Sequence, residues 1–160
     1  MAHALEPGDV APDFVLPGGR WDGETFTTGN YRLSEAHGRP VVLAFYPHDN
    51  SAVCTRQMCS YSNGLQQFTD LGADVWAISP QGLRTHAEFA RSNNLRMPLL
   101  ADTGRTVAHA FGVTAPGVGI RRSVFLIGPD GRVRWQHVAL VGLRWQPLEK
   151  LTAELSRTRA

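Results

Sequence analysis

Residues Val41-Val42-Leu43-Ala44-Phe45-Tyr46 form an unbroken apolar run that ends at Pro47. Continuous apolarity over this length is expected of a central strand buried on both faces, and proline cannot extend it. A polar loop follows, and then Met58, Tyr61, Leu65, Phe68 and Leu71 recur at helical spacing. This predicts one helix from Ser51 to Leu71 with Gly72 as its C-cap. The chain must therefore hold a strand, a sharp exit and an amphipathic helix in direct succession, which calls for a layered α/β core.

The remaining pattern agrees with that architecture. Phe14 to Thr27 reads as a loose hairpin and Leu33 to His37 as a short helical turn ended by Gly38 and Pro40. Asp74 to Ser79 is a second buried strand, and Leu83 to Asn93 a helix with Ala87, Phe89 and Ala90 on its inner side. Leu99-Leu100 is a short strand, and Arg105 to Phe111 a short helix closed by Gly112. Val124 to Ile127 and Val133 to Val138 form a hairpin about Pro129-Asp130-Gly131, where proline presets φ and glycine tolerates positive φ. Pro147 to Arg157 is an amphipathic helix through Leu148, Leu151 and Leu155.

The chemistry concentrates in Pro47-His48-Asp49-Asn50-Ser51-Ala52-Val53-Cys54-Thr55-Arg56-Gln57-Met58-Cys59, which contains both cysteines of the chain. Cys54 falls in the first turn of the predicted helix, where the helix dipole and unpaired N–H groups favour a thiolate. Full ionisation of an ordinary thiol at neutral pH gains only about 30-fold in nucleophile, roughly 2 kcal/mol. Fast sulfur chemistry therefore also needs donors aimed at the reacting atoms. His48, Cys54 and Cys59 lack a fourth ligand and fit no zinc spacing, so no metal is expected. His48 reads as an exposed loop residue, and Asp102 suits either a functional role or a cap on the next helix. Trp21, Trp76, Trp135 and Trp145 read as packing.

Pro47-x-x-x-Ser51-x-x-Cys54 resembles the peroxiredoxin signature, and a second cysteine five positions on is similar to the peroxiredoxin Q (bacterioferritin comigratory protein) subfamily of the AhpC/TSA superfamily. Gly8 to Pro17, Pro98 to Asp102 with Phe111-Gly112-Val113, and Arg122 to Ile127 resemble further family segments in the expected order. The resemblance implies a thioredoxin fold, a central mixed β-sheet flanked by helices, with an N-terminal β-hairpin extension. It implies that Cys54 attacks peroxide and that Ser51 hydrogen-bonds the peroxide as well as capping the helix. Adjacent strand residues point opposite ways, so at most one of Arg121 and Arg122 faces the sulfur, and the resemblance implies that it is Arg122. Pro47 shields the sulfur, Gln57 orients Arg122, and the N–H groups of Val53 and Cys54 complete the pocket.

By the same resemblance Cys59 resolves the Cys54 sulfenic acid as an intramolecular disulfide. In a continuous helix, five residues separate the two Cα atoms by about 8.6 Å, beyond the limit of about 7 Å for a disulfide. The first turn must then unwind during the cycle. Alternatively, Cys59 is a buried thiol and an external thiol reduces Cys54. The chain departs from the family pattern at Ser51, where threonine is commoner, at Tyr61-Ser62-Asn63 in place of Phe-Arg-Asp, and at Gly128, where aspartate is usual.

The length of 160 residues predicts one domain spanning residues 1–160, able to bury roughly 70% of its unfolded surface without disulfides. Two cysteines make no disulfide framework and suit redox use in a reducing compartment. No signal peptide or apolar span is evident, so cytoplasm is expected and no membrane partner. The net charge of +2 is dispersed, and nothing suggests nucleic acid binding. The expected function is a thiol-dependent peroxidase acting on hydrogen peroxide and organic hydroperoxides, with no cofactor, recycled by thioredoxin or a similar donor, as a monomer or weak dimer. The competing readings are a peroxide sensor that relays oxidation to a partner protein and a non-enzymatic holdase on the same fold.

Overall fold

The structure is a computed structural model that describes residues 3–115, 119–139 and 145–158. The N-terminal hairpin is β1 (Val15–Trp21) and β2 (Phe26–Arg32), followed by a 3-10 turn at Leu33–Ala36. Then come β3 (Val41–Phe45), α1 (Ala52–Asn63), α2 (Leu65–Asp70), β4 (Asp74–Ser79), α3 (Leu83–Asn93), β5 (Leu99–Ala101) and α4 (Thr106–Ala110). The chain continues through β6 (Thr114–Ala115), β7 (Gly119–Ile120), β8 (Ser123–Ile127), β9 (Val133–Val138) and α5 (Leu148–Thr158).

Seven strands form one mixed sheet in the order β2-β1-β5-β4-β3-β8-β9. β3 runs parallel to β4, and β4 to β5, whereas β8 pairs antiparallel with β3 and β1 antiparallel with β5. The hairpin expected over Phe14 to Thr27 runs from Val15 to Arg32 instead, because β2 continues past Thr27 in register with β1, and it extends the central sheet at one edge. The short β6–β7 hairpin was not expected; strands this brief leave no periodic signal.

β3 lies near the centre of the sheet, and its alternation splits the core in two. Val42, Ala44 and Tyr46 pack with Met58, Tyr61, Phe68, Phe89, Leu151 and Leu155 under α1, α2, α3 and α5. Val41, Leu43 and Phe45 pack on the opposite face with Leu33, Val107, Phe111 and Phe125. Every residue from Val41 to Tyr46 is buried, as a doubly covered strand requires. Among the described residues no helix is long and apolar enough to cross a membrane.

The single helix expected from Ser51 to Leu71 is two, interrupted at Gly64. A Cβ at Gly64 would collide with Leu148 Cδ2, so glycine admits the close approach of α5 at this break. Downstream, Gly72 takes φ +74 and donates its N–H to Thr69 O, ending α2 as expected. Leu65 and Leu71 are only partly buried, and Gln57 and Ser62 take buried places the apolar spacing did not mark. On α3 the buried residues are His86, Phe89 and Ala90, with His86 in the place expected of Ala87.

Candidate active site around Cys54

Two strand ends converge on Cys54. In the β3–β8 ladder Phe45 pairs with Ser123, so Arg122 stands one step beyond, beside Tyr46 and the start of the loop. The loop turns back through Asn50, whose φ of 65° is left-handed, a conformation asparagine tolerates better than most side chains. Ser51 then caps α1, its Oγ accepting from Cys54 N at 3.2 Å and donating to His48 O at 3.4 Å. Both hydrogen-bonding roles of the hydroxyl are thus occupied within the protein. The Cys54 N–H, expected to line a peroxide pocket, is likewise engaged by the cap.

Arg122 is 4% exposed, and its Nη2 donates to Cys54 Sγ at 3.2 Å. Its Nη1 donates to Gln57 Oε1 at 2.5 Å. Gln57 lies one turn below Cys54 and passes the chain on, Nε2 donating to Tyr61 Oη at 3.3 Å. Tyr61 donates in turn to the Gln146 carbonyl at 2.5 Å. Burial pushes the Tyr61 phenol up, so it remains a donor at neutral pH. The guanidinium is therefore aimed by a buried relay rather than by one contact, and it offers the sulfur a fixed positive charge with directed N–H bonds.

Cys54 itself is 0% exposed, which the sequence did not foretell. Cys59 is half-buried in the same helix, and both thiols are free. With α1 continuous from Ala52 to Asn63, ideal helix geometry keeps the two Cα atoms about 8.6 Å apart. Burial pushes the Cys59 thiol above its ordinary value. Pro47 is half-buried immediately after Tyr46, and His48 is exposed as expected. Asp102 caps α4, accepting from Val107 N at 3.3 Å and Ala108 N at 2.8 Å.

One group near the sulfur escaped the sequence reading. Tyr46, Asp49 and His86 form a fully enclosed hydrogen-bonded cluster at the base of the loop. Tyr46 and Asp49 are close in the chain, but His86 lies 37 residues beyond Asp49, and a lone histidine in an amphipathic helix gives no local sign of them.

A strand exit, a capped helix carrying Cys54, and an arginine delivered by an antiparallel neighbour are accompanied by a sequence match over residues 7–136 to the AhpC/TSA family. The chain belongs to the AhpC/TSA family. Among its relatives, peroxiredoxin Bcp of Bacillus subtilis is 34% identical over 143 residues, 84% of this chain and 87% of that protein. The chloroplastic peroxiredoxin Q of Oryza sativa subsp. japonica is also 34% identical, over 82% of this chain but 58% of that longer protein. The crystal structure of peroxidoxin BcpB from Mycobacterium tuberculosis superposes with a TM-score of 0.84 at 30% identity, covering 98% of this chain and 99% of that one. AhpC of Mycobacterium bovis shares the fold, with a TM-score of 0.85 at 21% identity, covering 98% of this chain and 94% of that one. The mixed sheet flanked by helices is therefore the thioredoxin fold of the peroxiredoxins, and the chain is a peroxidase-class oxidoreductase.

Proposed function

We propose that Cys54 reduces hydrogen peroxide and organic hydroperoxides, and that residues 1–160 act in this as one unit. The observation that carries the reading is the 3.2 Å contact between Arg122 Nη2 and Cys54 Sγ. In the first step the Cys54 thiolate attacks the terminal peroxide oxygen. An S–O bond forms as the O–O bond breaks, and the departing alkoxide or hydroxide takes a proton from solvent, leaving a sulfenic acid. Arg122 stabilises negative charge on sulfur beforehand and on the parting oxygens as the bond breaks. Because Cys54 is buried, peroxide is admitted by a small shift of the Pro47 and Ser51 side chains with Asp49 left in place, and Ser51 exchanges its bond to His48 O for one to peroxide oxygen.

In the second step Cys59 sulfur attacks the sulfenic sulfur, water leaves, and an intramolecular disulfide forms. The helical separation requires the first turn of α1 to unwind before this bond can close. A dithiol donor of the thioredoxin kind then reduces the disulfide through a mixed disulfide, returning both thiols. The test is peroxide consumption with dithiothreitol as reductant. Wild type is expected to consume peroxide far faster than Cys54→Ser, and equal rates would falsify the assignment.

A further inference from the structure

A polar cluster lies beneath the loop that leads into α1, and the sulfur chemistry makes no use of it. Asp49 is 2% exposed, and Tyr46 and His86 are 0% exposed. Asp49 Oδ1 accepts from Tyr46 Oη at 2.5 Å, and Oδ2 meets His86 Nδ1 at 2.6 Å. His86 Nε2 meets the carbonyl of Leu100 at 3.0 Å, so that nitrogen carries a hydrogen, a carbonyl being an acceptor only. Side chains from the end of β3, the active-site loop and α3 are thereby joined to the main chain of β5.

The main chain of Asp49 is held as well. Its N–H donates to Gln81 Oε1, and its carbonyl accepts from His48 Nδ1 at 2.8 Å. The next residue is Asn50 in its left-handed conformation, and the one after that is the Ser51 cap. A fixed point, a bend and the helix start therefore follow one another without a spacer. A buried carboxylate cannot leave such partners without exposing each of them unpaired.

We propose that the Tyr46–Asp49–His86 cluster is a latch that sets how readily the first turn of α1 unwinds, with Asp49 as the fixed end and Asn50 as the hinge. Latched, the loop keeps Ser51 and Arg122 on Cys54. Released, the turn lets Cys54 travel toward Cys59. The three residues are positioning residues; this deepens the peroxidase reading and rests on it for its chemical consequence.

The test uses Tyr46→Phe, which removes one hydrogen bond to the carboxylate and keeps the ring, and Asp49→Asn, which can keep both hydrogen bonds without the charge. In Tyr46→Phe, first-order disulfide formation after a peroxide pulse should rise about tenfold, as expected for loss of one charge-assisted hydrogen bond. The second-order oxidation of Cys54 should change by less than about twofold, because the latched form still predominates. Asp49→Asn should show a smaller acceleration. Hydrogen exchange of the reduced protein should quicken by the same factor at residues 51–55 and stay unchanged in β3 and β4. General destabilisation would instead quicken exchange in β3 and β4 as well. Unchanged disulfide formation and exchange in Tyr46→Phe, or exchange quickened evenly across the sheet, would overturn the latch. Should wild type fail to react with peroxide, the peroxidase reading falls, and the exchange comparison still decides the latch.

Discussion

The phenol of Tyr61 donates to the backbone carbonyl of Gln146 at 2.5 Å, tying the second half of α1 to the segment that leads into α5. Trp145 packs edge-on against the same ring, with centroids 5.9 Å apart and planes at 84°. Among the described residues, the first half of α1 is held by the Ser51 cap and by Arg122, which donates to both Cys54 and Gln57. Unwinding should therefore run from the N-terminus of the helix and stop short of Tyr61.

Tyr61→Phe removes the bond to Gln146 and the acceptor that holds Gln57. We expect a loss of about 1–2 kcal/mol in urea unfolding. Cys54 oxidation should slow as well, since Arg122 is aimed through Gln57. Unchanged stability and rate would show that the relay does not orient the guanidinium.

Arg122→Met keeps length and packing but deletes the donor at Cys54 Sγ and the bond to Gln57 Oε1. Stopped-flow oxidation should fall about a hundredfold or more, the usual cost of losing a preorganised charged donor in a closed site. Arg122→Lys should recover only part of that loss, because an ammonium cannot reach sulfur and amide together in a planar fork.

Burial raises the Cys59 thiol, so at neutral pH little of it is ionised, and the thiolate is the attacking form. Disulfide formation should therefore accelerate by about tenfold per pH unit below the Cys59 pKa. The sign for stability is opposite. The fold favours the neutral thiol, so stability is full below the ordinary thiol range and falls as pH rises through it toward the raised value. Unwinding relieves the burial, so higher pH also favours the open turn. A pH-independent resolving rate measured by tryptophan fluorescence would contradict this.

Gly64→Ala should cost about 1–3 kcal/mol, since its Cβ would meet Leu148 Cδ2. Combining it with Leu148→Ala should return part of that cost, and strict additivity in the double-mutant cycle would rule out the contact.

What could be read from the sequence follows interaction range. The run Val41 to Tyr46 announced a doubly buried strand because both faces are apolar. Ser51 three residues before Cys54 announced a helix cap because capping is local. The Arg122 placement needed strand pairing between distant segments and came from family resemblance together with alternation along a strand. The break at Gly64 depends on Leu148 from the far end of the chain, and no window around Gly64 contains it. His86 looked like a polar residue in an amphipathic helix; only folding brings Asp49 to it. The burial of Cys54 was equally hidden, since helix position alone does not say what covers the sulfur.

The central claim is that one sulfur takes oxygen from peroxide and the other removes it within the same chain. Intact-mass measurement of the reduced protein after one equivalent of hydrogen peroxide tests it most directly. We predict a loss of two hydrogens in wild type and a gain of a single oxygen in Cys59→Ser. An unchanged mass, or a lasting single-oxygen adduct in wild type, would contradict it.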